Sequence, residues 1–322
     1  MIMTATIALQ TDELTVHVCP EKGGDITAII DRARGINVLF TTPWRPLDEG
    51  NPEPSADSSD QDSSVPWLSA YTGGWQTLIP NAGPERDYHG VRQDYHGEAS
   101  VRGWTVIDQS DTRIELEVEL TTAPLRLRRT ITVSGSSVSV DAVVTNTSPD
   151  PVSFRWVEHP AFGAPFIDQD AYIETDARLL VTDAVAPGTV LPADSMLEDP
   201  FRRSEIADVS RFPQPGVPRS VFAALGDFTE GRATIVSPNV GLAVTIAWDC
   251  AVFPFAWYWQ ELNESPGFPW FQRAYVAAVE PANVLPGEGT IGPYQRGEPV
   301  PIPGNGTIET RLTVSSRELS AN

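Results

Sequence analysis

An all-β fold, a large antiparallel β-sandwich, follows from three features of the 322-residue chain. Residues 113–120 (RIELEVEL) alternate apolar and charged side chains without a break, the period of a strand with one buried face. Helical periodicity is scarce. The 29 prolines and 24 glycines supply many turns, yet together they stay below the range of disordered sequences.

The elements follow in chain order. Leu14-Thr15-Val16-His17-Val18 reads as a strand with His17 on its polar face, and His17 receives no role. Residues 51–64 are polar, acidic and rich in Ser, Asp and Pro, with no apolar residue larger than Ala56, so a flexible acidic loop is expected. A lid over a site is the functional alternative for that loop. The strand at 113–120 is followed by 125–128 running into 130–133 and then by 138–141, with Ser134-Gly135-Ser136 as a turn, which makes a three-strand meander. Residues 240–248 and 307–314 carry similar β-rich patterns. Residues 197–212 have room for a turn or two of helix, closely bounded by Pro200 and Pro213. No repeat period and no shift in composition marks a boundary, so one domain over 1–322 is expected.

Charge and composition exclude several functions. Lys plus Arg is 22 against Asp plus Glu of 43, a net charge of −21 that repels nucleic-acid phosphates and anionic lipid surfaces. Lys22 is the sole lysine and lies beside an exposed-looking Gly-Gly turn, so Schiff-base chemistry is set aside. Cys19 and Cys250 form neither a disulfide framework nor a metal motif and are expected as buried small apolar residues. No stretch approaches the ~20 apolar residues of a membrane span, and the N-terminus lacks the plan of a secretory signal. A cytoplasmic protein is expected.

Chemistry-bearing residues gather in a few segments rich in Gly, Pro and aromatics. The first runs Gly73-Gly74-Trp75-Gln76-Thr77-Leu78-Ile79-Pro80-Asn81-Ala82-Gly83, followed by Tyr88-His89-Gly90 and Tyr95-His96-Gly97. A glycine after each histidine permits a sharp turn and close approach by a ligand. In Glu158-His159-Pro160-Ala161-Phe162 the proline biases His159 to an extended backbone, expected at a strand end. An aromatic run spans 253–260 and contains Trp257 and Trp259, and Glu280 closes the apolar strand at 276–279. Desolvation there raises a carboxyl pKa towards the range of a useful base. Taken singly, each of these residues is better read as a structural group at a turn or in a core. No His-x-His or His-x-x-x-His pair occurs, so no metal site is expected, and no Gly-x-Ser-x-Gly elbow is present. Paired carboxylates of a glycosidase remain open.

Five short motifs occur together: Lys22-Gly23-Gly24-Asp25-Ile26-Thr27; His96-Gly97-Glu98-Ala99 with Trp104; Thr145-Asn146-Thr147-Ser148; His159-Pro160-Ala161-Phe162; and Val279-Glu280-Pro281-Ala282 with Leu285-Pro286-Gly287-Glu288. In this order the chain resembles the aldose 1-epimerase (galactose mutarotase-like) superfamily, including its hexose-phosphate epimerase-like branch. The resemblance implies the galactose mutarotase-like supersandwich with a site in a cleft on one sheet, and an isomerase that interconverts sugar anomers without a cofactor. It implies Glu280 as general base on the C1 hydroxyl, His159 as the group that protonates the ring oxygen, and His96 as a second sugar contact. The partner implied is a small-molecule sugar, with a homodimer as the one expected assembly. Trp257 and Trp259 are expected to offer an apolar platform to the sugar.

One departure stands out. Where mutarotases commonly carry an Asn-Arg pair, this chain reads Asn81-Ala82-Gly83. Arg86, Arg92 and Arg155 are the candidate replacements, with His89 beside them. The alternatives are a carbohydrate-binding or regulatory protein without turnover, favoured by that missing arginine, and a glycoside-active enzyme pairing Glu280 with Glu158 or Glu261. The epimerase reading requires His159 and Glu280 on one face, expected across a sugar-sized gap.

Overall fold

The computed structural model describes residues 6–44, 62–199, 201 and 207–320. Two large antiparallel sheets pack face to face. Among the described residues the back sheet has eight strands, in the spatial order Tyr172–Thr175, Arg232–Ser237, Leu242–Trp248, Thr307–Glu318, Ser137–Asn146, Leu125–Ser134, Arg113–Glu119 and Thr105–Gln109. The expected meander makes up the fifth to seventh of these strands, its last two paired in register from Leu125↔Asn146 to Ser134↔Ser137. Leu125, Leu127, Ile131 and Val133 point inward while Arg126 and Arg128 face solvent, which is what the alternation requires.

The front sheet has eleven strands among the described residues. Its path is Ile7–Gln10, Leu14–Cys19, Asp25–Asp31, Trp75–Leu78, Val157–Gly163, Tyr275–Ala282, Phe255–Leu262, Arg219–Gly226, Leu179–Thr182 and Met196–Glu198, with Ile36–Asn37 attached to Asp25–Asp31. The middle strands Trp75–Leu78, Val157–Gly163 and Tyr275–Ala282 are buried at every position. One face joins the sandwich core with Trp75, Trp156, Tyr258 and Val279 against Leu116, Leu127 and Val140. The other builds a second apolar cluster with Trp67, Tyr71, Trp257, Val276 and Leu285. Helix Ser64–Ala70 and the hairpin Gly289–Ile291/Tyr294–Arg296 contribute Trp67, Ile291 and Tyr294 to this second layer. Burial on both faces erases the period of two, which is why the chemistry-bearing strands read as apolar runs rather than as alternation.

An ion pair sits between the sheets. Glu158, fully buried, accepts hydrogen bonds from Trp75 Nε1 at 2.7 Å, Trp156 Nε1 at 3.0 Å, Thr77 Oγ1 at 3.2 Å and the Arg129 guanidinium at 3.2 Å. Arg129 is also buried and lies 5.4 Å over the Trp75 ring. Such a pair is tolerable inside a protein only because several partners replace the lost water.

Several expectations are corrected. Of the segment 197–212, read as having room for a turn or two of helix, Leu197 and Glu198 belong instead to the strand Met196–Glu198, which pairs with Leu179–Thr182, and 207–212 hold no helix; residues 200 and 202–206 lie outside the described residues. The Gly23-Gly24 turn is buried, Gly24 lying against Trp104 and Leu116. Cys19 is buried as expected, whereas Cys250 is only partly so. Of the acidic loop, 51–61 lies outside the described residues, and Ser63 and Ser64 already begin the short helix.

Candidate active site

Register places the central side chains in one row across the second face of the front sheet. Gln76 pairs with His159, Glu280 with Trp257, and Trp257 with Ala224. The flanking pairs Val157↔Ala282 and Ala161↔Ala278 set His159 opposite Glu280. The row therefore runs Gln76, His159, Glu280, Trp257, one residue per strand. His159 lies inside its strand rather than at the end, and its imidazole Nδ1 is 2.8 Å from Glu280 Oε2. The two groups are in contact by distance, although Nδ1 makes no aligned hydrogen bond there. There is no sugar-sized gap between them. An acid and a base this close can serve two oxygens bonded to one carbon.

His96 arrives from a turn and completes the group. It adopts φ of 59°, and Gly97 follows at φ of 71°, where an added Cβ would lie 2.5 Å from Ile79 O. Only glycine fits that position. The Gly83 N–H donates to His96 Nδ1 at 3.1 Å, so the ring proton resides on Nε2. Burial, reinforced by His159, holds the His96 pKa well below the usual imidazole value, and the ring is a neutral donor. Its centroid is 6.1 Å from that of His159. Exposure falls from 9% at His96 to 7% at His159 and 2% at Glu280, so these side chains are shielded from bulk water.

Aromatic side chains wall the site. Trp67 packs 4.4 Å from His96, its indole donating to Ser100 Oγ at 2.9 Å, and Trp67 stacks on Tyr71 at 5.2 Å. Trp259 lies 5.8 Å from His159 and 5.4 Å from Trp270, which also meets Trp44 and Tyr71. Trp257 is buried beside Glu280, its indole committed to Val284 O at 2.8 Å. Sequence reasoning missed Trp44, Trp67, Tyr71 and Trp270 as wall residues. The signal was present as single aromatics in Pro-containing segments with no period to tie them together.

The other expected contacts lie apart. His89 turns the hairpin Arg86–Tyr88/Val91–Gln93 at φ of 53° and packs on Tyr88, and Arg92 is held at that hairpin by Glu85 at 2.7 Å and Asp94 at 2.9 Å. Arg86 donates to Gln93 Oε1 at 2.9 Å and to Pro80 O at 3.2 Å, and burial, with the Arg155 charge, lowers its pKa to about 10. Arg155 donates to Gly297 O at 3.1 Å and pairs with Glu288. Their donors are spent on the loops around them rather than on the row. Asn81 is structural too, its amide tying Pro84 O and Asp94 O.

Neither Glu158 nor Glu261, the two carboxylates weighed as glycosidase partners, lies beside Glu280. Glu158 faces the sandwich interior, on the opposite side of its strand from His159. Glu261 shares the Glu280 face but pairs with Val276, four residues along the strand, ~13 Å at ordinary strand rise. Its carboxylate caps the turn at Glu264 and Ser265. Among the described residues no cluster of three His, Cys, Asp or Glu is arranged to hold a metal ion, and no helix is long and apolar enough to cross a membrane.

Comparison with solved structures gives the same architecture. The chain is similar to the Slr1438 protein of Synechocystis sp. PCC 6803, at 16% identity and a TM-score of 0.69 over 99% of both chains. It is similar to a galactose mutarotase-like protein of Clostridium acetobutylicum, at 13% and 0.68 over 98% of this chain and 95% of that one. The GalM/aldose epimerase homologue of C. elegans matches at 12% and 0.61 over 98% and 99%. At these identities the likeness is one of fold, the galactose mutarotase-like sandwich. No curated protein matches the sequence. Residues 4–315 match the family described as Domain of unknown function (DUF4432), and the chain belongs to that family.

Proposed function

We propose that the protein is a cofactor-independent aldose 1-epimerase. The observation that carries this reading is the contact of the Glu280 carboxylate with the His159 imidazole on one row, with neutral His96 beside them. Glu280 removes the proton from the C1 hydroxyl while His159 delivers one to the ring oxygen. The C1–O5 bond breaks as the C1–O1 bond gains double-bond character. Rotation about C1–C2 presents the other face of the aldehyde, and the two groups exchange roles as the ring closes. Each proton removed is matched by one delivered, so general acid–base chemistry suffices. His96 Nε2–H serves as a fixed donor to a sugar oxygen, and the Trp259 and Trp270 rings offer apolar surface to sugar C–H groups.

Anomer interconversion followed by NMR exchange across free, phosphorylated and acidic aldoses tests the reading. Acceleration of at least one sugar is expected, and none across the panel overturns it. A sugar-binding protein without turnover is the second reading, favoured by the commitment of Arg86, Arg92 and Arg155 elsewhere. Calorimetric sugar binding with unchanged anomer exchange selects it.

A further inference from the structure

Six of the nine tryptophans are buried, each with its indole N–H donated to a protein acceptor. The other three, Trp44, Trp259 and Trp270, are only partly buried, and among the described residues their indoles have no hydrogen-bond partner. These three are neighbours. Trp270 lies 5.4 Å from Trp259 and 5.8 Å from Trp44, and Trp259 lies 5.8 Å from His159. Accessible rings with a free N–H, next to the buried His159 and Glu280, are the part of the aromatic wall that a sugar can reach from solvent. Trp259 is fixed by its strand, Phe255–Leu262, whereas Trp270 stands on the loop between that strand and Tyr275–Ala282.

Two side chains tie that loop at its base. Glu261, 3% exposed, accepts on Oε1 from the N–H groups of Glu264 and Ser265, both at 2.9 Å, and on Oε2 from Ser265 Oγ at 2.6 Å. Among the described residues no cation pairs with it, so a buried carboxylate is committed wholly to the turn. Hydrogen bonds to an ionised acceptor are the strong ones. Asn263 closes the two ends: its backbone N–H donates to Ala274 O at 2.7 Å, and its side-chain amide donates to Gln272 O at 2.9 Å and to Ala274 O at 3.1 Å. Its Oδ1 accepts from the Gly216 N–H at 2.9 Å, which ties the loop base to its neighbour. Phe271 and Gln272 are held at φ of 45° and 59°, a backbone that such residues keep only where the surroundings enforce it. On the epimerase reading above, we propose that Glu261 and Asn263 are positioning residues: by fixing this loop they hold Trp270 against Trp259 with its indole N–H free for a sugar hydroxyl. Glu261 lies four residues along the sheet from Glu280, so its effect falls on sugar binding and not on proton transfer.

The test measures anomer exchange and calorimetric binding for glucose, galactose, glucose 6-phosphate and glucuronate. Wild type is compared with Glu261→Ala, Glu261→Gln, Asn263→Gly and Trp270→Ala, each checked for folding by thermal unfolding. For an accelerated sugar, Glu261→Ala and Asn263→Gly are expected to raise KM about fivefold with kcat nearly unchanged. Glu261→Gln, whose amide oxygen still accepts from both N–H groups, raises KM less. In the Trp270→Ala background neither Glu261→Ala nor Asn263→Gly raises KM further, because the ring they position is gone. Glycine takes the left-handed backbone of Asn263 without strain, so Asn263→Gly reports even if Glu261→Ala does not fold. KM unchanged in the folded variants, a loss carried by kcat alone, or losses additive with Trp270→Ala overturns the positioning role while leaving the epimerase intact. If no sugar is accelerated, the epimerase reading fails and the binding arm still decides: sugar affinity lowered in the variants, but not further in the Trp270→Ala background, supports the positioning role, and unchanged affinity or no binding removes it.

Discussion

Glu158 and His159 are consecutive in sequence and point to opposite faces of one strand, so Glu158→Gln separates stability from chemistry. The substitution keeps the side-chain volume but replaces an acceptor oxygen by a donor among three indole and hydroxyl donors, and it leaves the Arg129 guanidinium buried without its counter-charge. Removing one member of a buried pair costs about 3–5 kcal/mol. For 322 residues the unfolding entropy near the midpoint is about 0.7 kcal/mol per degree, so Tm should fall by about 4–7 °C. Thermal unfolding followed by circular dichroism reads this directly. The double variant with Arg129→Met should lose less than the sum of the two singles, because each single loss includes the charge it strands. Anomer exchange per folded molecule should match wild type. A Tm shift below about 1 °C, or additive losses, would refute the assignment of this pair as a buried unit.

Other outcomes follow from the same geometry. The folded-state pKa of His96 is depressed, so its contribution to stability is present above the unfolded imidazole value of ~6.5 and is lost as pH falls below it; urea midpoints at pH 7.5 and 5.5 should drop more in wild type than in His96→Gln, and equal drops contradict the shift. Gly97→Ala should destabilise by more than about 1 kcal/mol and disturb His96, because the new Cβ meets Ile79 O; Gly90→Ala, at a φ of 78° with open space around it, should do less, and thermal melts compare them. His89→Ala and Arg92→Ala should leave KM unchanged, since both residues belong to the exposed hairpin; a several-fold rise for either would place that hairpin on the sugar.

How much the sequence revealed depended on solvent. Strands of the back sheet have one wet face, so Arg113–Glu119 and Leu125–Ser134 were legible as alternation. Val157–Gly163 and Tyr275–Ala282 have none, and their His-Pro and Glu-Pro steps were legible only as motifs. His159 was expected at a strand end because a proline follows it, whereas the strand runs on through Pro160 to Gly163. His96, His159 and Glu280 were singled out because they are chemically distinctive and sit in recognisable segments, and the structure brings these three side chains together. Gln76 lay inside a quoted segment without a role, because only strand pairing reveals that it shares a row with His159. The arginines were misplaced for a related reason: proximity in sequence to Asn81 does not say where a long side chain finds its acceptors, and Arg86 finds Pro80 O and Gln93.

The central claim is that Glu280 is the base. Glu280→Gln preserves shape beside His159 while abolishing proton abstraction, so NMR exchange between anomers of an accepted sugar should slow by about 10²–10⁴-fold, with Tm and sugar binding retained. Wild-type exchange rates in folded Glu280→Gln would contradict the account.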